Sequence, residues 1–243
     1  MIEVLRFIFD RKEIGVICQN TSDSEVLLSK KVLAKEKILM IPGSGVDIDE
    51  FSPSKKVINS EKYILMSSRI LFDKGIKEYC EAAKIVKGTI NEEVKFKLSG
   101  PIDSISPTSI SISELENLAK KYGIDYLGDN RIDMPGLMAS ASLFVLPSYY
   151  PEGVPKVLLE AAASGVPVIT TDHPGCRDAI TNKGTGLLVP IKDSQALAKA
   201  IIKLITDESL SKHMGNQGRL LAEKSFQVSS VVDHHYSLYR RLL

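Results

Sequence analysis

Two acidic residues, Glu152 and Glu160, stand eight positions apart in Pro147-Ser-Tyr-Tyr-Pro-Glu-Gly-Val-Pro-Lys-Val-Leu-Leu-Glu-Ala161. Along a helix that separation is at most ~12 Å at ~1.5 Å per residue, about the span from a ribose to a sugar across a diphosphate. A carboxylate accepts two hydrogen bonds at once, so it suits vicinal hydroxyls. Pro155 fits a first helical position, which puts the helix start near Val154 with Gly153 just ahead. Free N–H groups at that start would form an anion site. Glu160 is flanked by Leu158, Leu159 and Ala161–Ala163. The plain alternative is therefore a buried structural carboxylate paired to an arginine.

A second segment, Ser67-Ser-Arg69-Ile-Leu-Phe-Asp-Lys74-Gly75, offers two cations. Arg69 and Lys74 lie in a strand-to-helix loop, with Lys74 entering the helix, and suit a phosphate or diphosphate. A cation at a helix start is unfavourable without an anion, because the helix dipole is positive there. The alternative is a pair of solvated surface charges.

The elements that must position these residues are legible from hydrophobic periodicity. Strands are predicted at 14–18, 37–41, 63–67, 94–99, 124–127, 142–147, 167–171 and 186–189. Helices are predicted at 22–34, 74–87, 113–122, 133–140, 154–164 and 194–206. Leu143-Phe-Val-Leu146 and Val166-Pro-Val-Ile169 are apolar on both faces, as parallel strands covered by helices on both sides must be. The alternation predicts an α/β chain with a doubly wound parallel sheet, and open sheets of this kind bind ligands at their carboxyl edge. After residue 208 there is no strand candidate. Val228, Val231, Val232, Tyr236, Tyr239 and Leu243 mark an amphipathic helix seeking an apolar surface. The turn-rich stretch from Pro42 to Pro53 reads as a junction.

Composition narrows the function classes. Across 243 residues, 31 Lys+Arg and 30 Asp+Glu leave a net charge of +1, without the global field of a nucleic-acid binder. Cys18, Cys80 and Cys176 are odd in number and far apart, which suggests neither a disulfide framework nor a zinc site but a reducing cytoplasm. No apolar run reaches ~18 residues. The first six residues lack the pattern of a signal peptide. Gly43-Ser-Gly45 lacks the third glycine of a dinucleotide fingerprint. Asp47-Ile-Asp49 matches a metal-binding Asp-x-Asp pattern but sits in the junction, and no metal is expected there. His234-His235 reads as a surface pair. Tyr239-Arg240-Arg241 reads as a solvated helix end with at most peripheral membrane contact, since two arginines give only about 2 kcal/mol at an anionic surface.

The Glu-x7-Glu spacing of Glu152 and Glu160 resembles the signature of retaining glycosyltransferases of family 4, which have the GT-B fold. Three further segments resemble that family in the same order: Ile41-Pro-Gly-Ser-Gly-Val-Asp-Ile-Asp-Glu-Phe-Ser-Pro53, the Arg69-x4-Lys74-Gly75 loop, and Val168-Ile-Thr-Thr-Asp-His-Pro-Gly-Cys-Arg-Asp178 with Gly184-Thr-Gly-Leu-Leu-Val189. The likeness covers essentially the whole chain. Within the family it is greatest to transferases that extend lipid-linked oligosaccharides, capsule and O-antigen.

The resemblance implies that Arg69 and Lys74 hold the donor diphosphate, and that Glu152 contacts the hydroxyls of the transferred sugar, with backbone N–H groups of Gly153 and Val154 on sugar or phosphate. It implies that Glu160 binds the ribose, with the base against the backbone near Tyr126, Leu127 and Gly128. The implied catalytic set is Glu152, Arg69 and Lys74, with a nucleotide sugar, UDP-linked by family tendency, as the donor and no cofactor. The site of action would be the cytoplasm, at the inner face of the membrane. Lys156 stands where such relatives often carry arginine.

The departures are equally informative. A complete enzyme of this family has two Rossmann-like domains, and the first carries a Gly-rich loop, the acceptor site and a histidine. None of His173, His213, His234 or His235 matches that histidine. The glycine motif after the fourth strand reads Ser99-Gly-Pro-Ile-Asp103, followed by a Ser/Thr-rich insertion from Ser104 to Ser113. The expected division is therefore 1–45 as a remnant of the acceptor domain, 46–60 as a junction, 61–207 as a nucleotide-sugar-binding Rossmann-like domain, and 208–243 as C-terminal helices. On this reading the chain alone lacks most of the acceptor site. It is a hexosyltransferase half that needs a separate N-terminal chain or a homodimer mate, or else a nucleotide-sugar-binding module or an inactive truncated transferase.

Overall fold

The computed structural model describes residues 2–9, 14–57, 61–129 and 133–243, and positions 58–60 of the expected junction fall outside them. The chain forms two parallel sheets. A short pair, β1 (Val16–Cys18) and β2 (Ile38–Met40), aligns Val16 with Ile38. The six-stranded sheet comprises β3 (Tyr63–Ser67), β4 (Lys95–Ser99), β5 (Ile124–Tyr126), β6 (Leu143–Leu146), β7 (Val168–Thr171) and β8 (Gly186–Val189). Its order is β5-β4-β3-β6-β7-β8. All eight predicted strands are present.

Every residue of β3, β6 and β7 is buried. Side chains alternate between the faces of a strand, so burial along its whole length requires helices on both sides. These are α3 (Ile76–Thr89), α4 (Ile112–Tyr122), α5 (Met134–Ala139), α6 (Lys156–Ala163) and α7 (Ser194–Thr206), with α8 (Glu208–Ser225) packed on α6. The strand order reverses between β3 and β6, which makes that point a topological switch. Ligands bind outside the carboxyl ends of the strands at such a point. The loops leaving β3 and β6 are the two segments singled out by their charges.

The crowding there is severe. Gly75 has φ +82°, and a Cβ on it would lie 2.2 Å from the Pro147 carbonyl oxygen. The loop after β3 can therefore meet the loop after β6 only through a glycine. Tyr149 N donates to the Asp73 carbonyl at 2.8 Å, fixing the same two loops.

Near the N-terminus, α1 (Ile2–Phe9) and α2 (Thr21–Ser29) accompany β1 and β2. Helix α1 is not among the predicted helices, although its charges Glu3 and Arg6 pair on one side of it. Helix α9 (Val228–Leu242) returns to this region, where a Cβ on Gly15 would fall 2.6 Å from Leu238 Cδ1. The residues α9 buries are Val231 and Leu238. Val228, Val232, Tyr236, Tyr239 and Leu243 are exposed. Of the predicted stripe only Val231 is on the packed face, which follows 231, 235 and 238, with His235 half-buried and its Nδ1 2.8 Å from the Val231 carbonyl. Two tyrosines outweighed a histidine in the pattern, but a histidine bonded to its own helix can lie on a packed face.

Candidate active site at the switch point

Lys74 is 5% exposed and forms an ion pair with Glu152. A lysine is rarely buried unless paired, so the reading of Lys74 as a solvated charge does not hold. It ends a short 3-10 turn over Phe72–Lys74, ahead of α3 rather than within it. Arg69 stays exposed, and its Nη1 donates to Asp103 Oδ2 at 2.8 Å. Both cations lie over one ring, with the guanidinium carbon 5.1 Å and Lys74 Nζ 4.7 Å from the Tyr150 centroid. A ring face attracts cations at such distances, so Tyr150 gathers them at one place.

The electrostatics follow these contacts. The Tyr150 hydroxyl, and then Asp103, hold the Arg69 guanidinium protonated above its ordinary value. Arg69, aided by the N–H groups of Ile105 and Ser106, holds the Asp103 carboxyl below the usual range. Asp103 and Tyr150 are the contributors that the charge pattern did not single out as ligands. The signal for Asp103 was the departure Ser99-Gly-Pro-Ile-Asp103. Gly100, with φ +146°, lets this loop press on Ser68, where a Cβ would lie 1.7 Å from the carbonyl oxygen.

The helix carrying Glu160 starts later than the spacing predicts. Helix α6 begins at Lys156, and Pro155, with ψ 122°, is its N-cap rather than its first residue. A residue preceding proline is pushed out of the α region, so Val154 is kept from the helix and the Glu152–Val154 segment runs as a loop. Glu152 and Glu160 therefore do not share one helix, and the ~12 Å span counted along a helix does not apply to them. Glu160 is 8% exposed, and Lys156, one turn earlier, lies 3.6 Å from its carboxylate. Its cationic neighbour is that lysine.

On the far side of the carboxyl edge, Tyr126 donates its hydroxyl to the Gly100 carbonyl at 2.9 Å. Gly100 N donates to the Gly128 carbonyl at 2.9 Å. The loops after β4 and β5 are thus tied together beside Arg69, with Leu127 exposed. Asp47, offered by the Asp-x-Asp pattern, accepts from Asp49 N and Glu50 N at 2.9 Å each and serves as a turn cap. Among the described residues, no cluster of three or more His, Cys, Asp or Glu could hold a metal ion.

Residues 47–221 match the family described as glycosyl transferases group 1. The chain belongs to this family. It is 31% identical over 225 residues to N,N'-diacetylbacillosaminyl-diphospho-undecaprenol alpha-1,3-N-acetylgalactosaminyltransferase of Campylobacter jejuni, a match covering 87% of the chain and 56% of that relative. It is 30% identical to the capsular polysaccharide biosynthesis glycosyltransferase CapM of Staphylococcus aureus, covering 87% of the chain and 57% of CapM. This group 1 chain therefore spans little more than half the length of the curated relatives it matches. Among solved structures, a glycosyltransferase of Rickettsia africae superposes with TM-score 0.84 at 22% identity, covering 95% of this chain and 64% of that one. HepE of Anabaena, solved with UDP and glucose, superposes with TM-score 0.81 at 21% identity, covering 99% and 68%. These likenesses establish the fold: the six-stranded sheet is the Rossmann-like half of a GT-B architecture, with helices after it. No helix of the described residues is long and apolar enough to cross a membrane.

Proposed function

We propose that this chain is the donor-binding half of a retaining GT-B hexosyltransferase of cell-envelope glycan synthesis, using a nucleotide sugar with UDP as the nucleotide. The observation that carries this reading is the buried Lys74 paired to Glu152 at the switch point, with Arg69 over the same tyrosine ring. Arg69 and Lys74 would hold the diphosphate, Glu152 and the N–H groups of Gly153 and Val154 the transferred sugar, and Glu160 the ribose. The base would lie at Tyr126 and Leu127. As the glycosidic bond breaks, negative charge grows on the leaving diphosphate. Two cations already in place stabilise that charge without reorganising, and such preorganised electrostatics commonly contribute more to catalysis than any other effect. Retention at the sugar carbon follows from the family resemblance, and the names of the relatives support an envelope-glycan acceptor.

The domain division follows the same reading, with residues 61–207 as the donor unit and 1–45 as a small part of the acceptor domain. One observation favours a binding module that transfers only with a partner. Among the described residues, β1 has a ladder partner on one side alone. Two-stranded sheets are marginal by themselves, so a separate chain or a second copy would complete this one. Work at the inner face of the cytoplasmic membrane suits a lipid-linked acceptor.

The test is a thermal-shift and calorimetry panel of UDP, GDP, ADP and their sugars on the purified chain. Selective stabilisation by the UDP series is expected. Indifference to all three series would overturn the reading.

A further inference from the structure

We propose that Gln19, from the N-terminal unit, is a sugar-reading residue that meets a hydroxyl of the transferred sugar opposite Glu152. The inference rests on the reading of Glu152–Gly153 as the sugar end of the site. Gln19 follows the last residue of β1 and precedes Asn20, which is 1% exposed and caps α2 by accepting from Asp23 N at 2.8 Å. The next residue is tied down as well. Thr21 donates its N–H at 3.2 Å and its hydroxyl at 2.9 Å to Asp178 Oδ1, in the loop after β7. Asp178 Oδ2 accepts from Gly175 N at 3.3 Å, and a Cβ on Gly175 would lie 2.1 Å from the Gly153 carbonyl oxygen. Gly153 is thus enclosed between the β7 loop and Gln19.

Gly153 has no positive φ, so its backbone conformation does not call for glycine. Space does. A Cβ there would fall 1.9 Å from Gln19 Oε1 and 3.0 Å from its Cδ. The carboxamide therefore lies against the Gly153 backbone, at the residue that follows Glu152 in the chain. Among the described residues that carboxamide makes no hydrogen bond, and Gln19 is exposed. A cavity of about 470 Å³ opens beside it, lined by Val16, Cys18, Asp23 and Gly153. A carboxamide offers two N–H donors and an acceptor, which suits a hydroxyl that both gives and takes a hydrogen bond. Neither Arg69 nor Lys74 offers an acceptor, and Glu152 offers no donor while ionised.

The experiment is calorimetry on the full chain with UDP and with UDP-glucose, UDP-galactose, UDP-N-acetylglucosamine and UDP-N-acetylgalactosamine. For the tightest sugar nucleotide, Gln19→Ala is expected to weaken binding by about 2- to 10-fold, the range of a neutral hydrogen bond, with UDP affinity unchanged. Unchanged UDP affinity also reports that the variant is folded. If Gln19→Ala leaves the sugar nucleotide unaffected while Glu152→Gln weakens it, the sugar site stands and Gln19 is not part of it. If neither variant weakens it, or the wild type binds none of the five ligands, the sugar end is misplaced and both readings fall.

Discussion

Lys74 and Glu152, 78 residues apart in sequence, form an ion pair that joins the loop after β3 to the loop after β6. The residue proposed for the diphosphate and the residue proposed for the sugar are each other's counter-ions. A charge buried without its partner is strongly destabilised. Each group therefore sets the orientation and affinity of the other, and neither can be changed as an independent site.

Glu152→Gln separates the two roles by sign. The amide keeps a hydrogen bond to Lys74 but removes its counter-charge, so Lys74 turns more of its field to an incoming diphosphate. UDP affinity should hold or rise slightly, while UDP-sugar affinity falls by roughly 10-fold, near 1.4 kcal/mol. Calorimetry with both ligands checks this, and parallel losses would make Glu152 structural.

Glu160→Ala should weaken UDP binding by about 10- to 100-fold, since hydrogen bonds to a charged group are worth roughly 1.5–3 kcal/mol. The ribose assignment adds a sharper measurement. Wild type should prefer UDP over 2'-deoxy-UDP, and the variant should bind them alike.

Asp103→Asn should tighten diphosphate binding. Arg69 and Asp103 are an exposed pair at 2.8 Å, worth at most ~1 kcal/mol. An anion reaching Arg69 must share the guanidinium with that carboxylate and bear its repulsion. Neutralising it should raise UDP affinity about 2- to 5-fold, with a steeper salt dependence, because a more positive site has more attraction for salt to screen. A weaker affinity would make Asp103 a positioning group for Arg69.

Glu61 governs part of the acid limb of stability. Hydrogen bonds from Lys95 and then Lys97 bring its carboxyl down from 4.5 to about 2. A carboxyl depressed by folding contributes stability present above its unfolded value and lost as pH falls from 4.5 towards 2. Glu61→Gln should lower the melting temperature by a few degrees at neutral pH and leave it nearly unchanged at the acid end. Melting curves across that range decide it, and an equal loss at every pH would point to packing instead.

The purified chain should not transfer sugar at a useful rate by itself. Orientation of donor and acceptor is worth ~7–11 kcal/mol of barrier, and domain closure also keeps water from the donor. Labelled UDP-sugar with lipid-linked and free sugar acceptors provides the assay. Robust turnover by a monomer would show that residues 1–45 already build an acceptor site.

The sequence by itself determined the strands and the two loops that carry the candidate site. Runs such as Leu143–Leu146 are apolar at every position, and only a doubly covered parallel strand buries both faces. Arg69, Lys74 and Glu152 stood out as candidates because charges in short loops after such strands have few structural uses, and Glu160 because it is the one charge among Leu158, Leu159 and Ala161–Ala163. Tertiary structure alone decided who pairs with whom. Lys74 meets Glu152, Arg69 meets Asp103, and Gln19 meets Gly153 across long sequence separations, and no local period encodes such contacts. It also decided which face of α9 is packed, whereas the late start of α6 follows from Pro155, which keeps Val154 out of the helix. Periodicity reports the faces a segment could bury. Which one it buries depends on a neighbour that only the folded chain supplies.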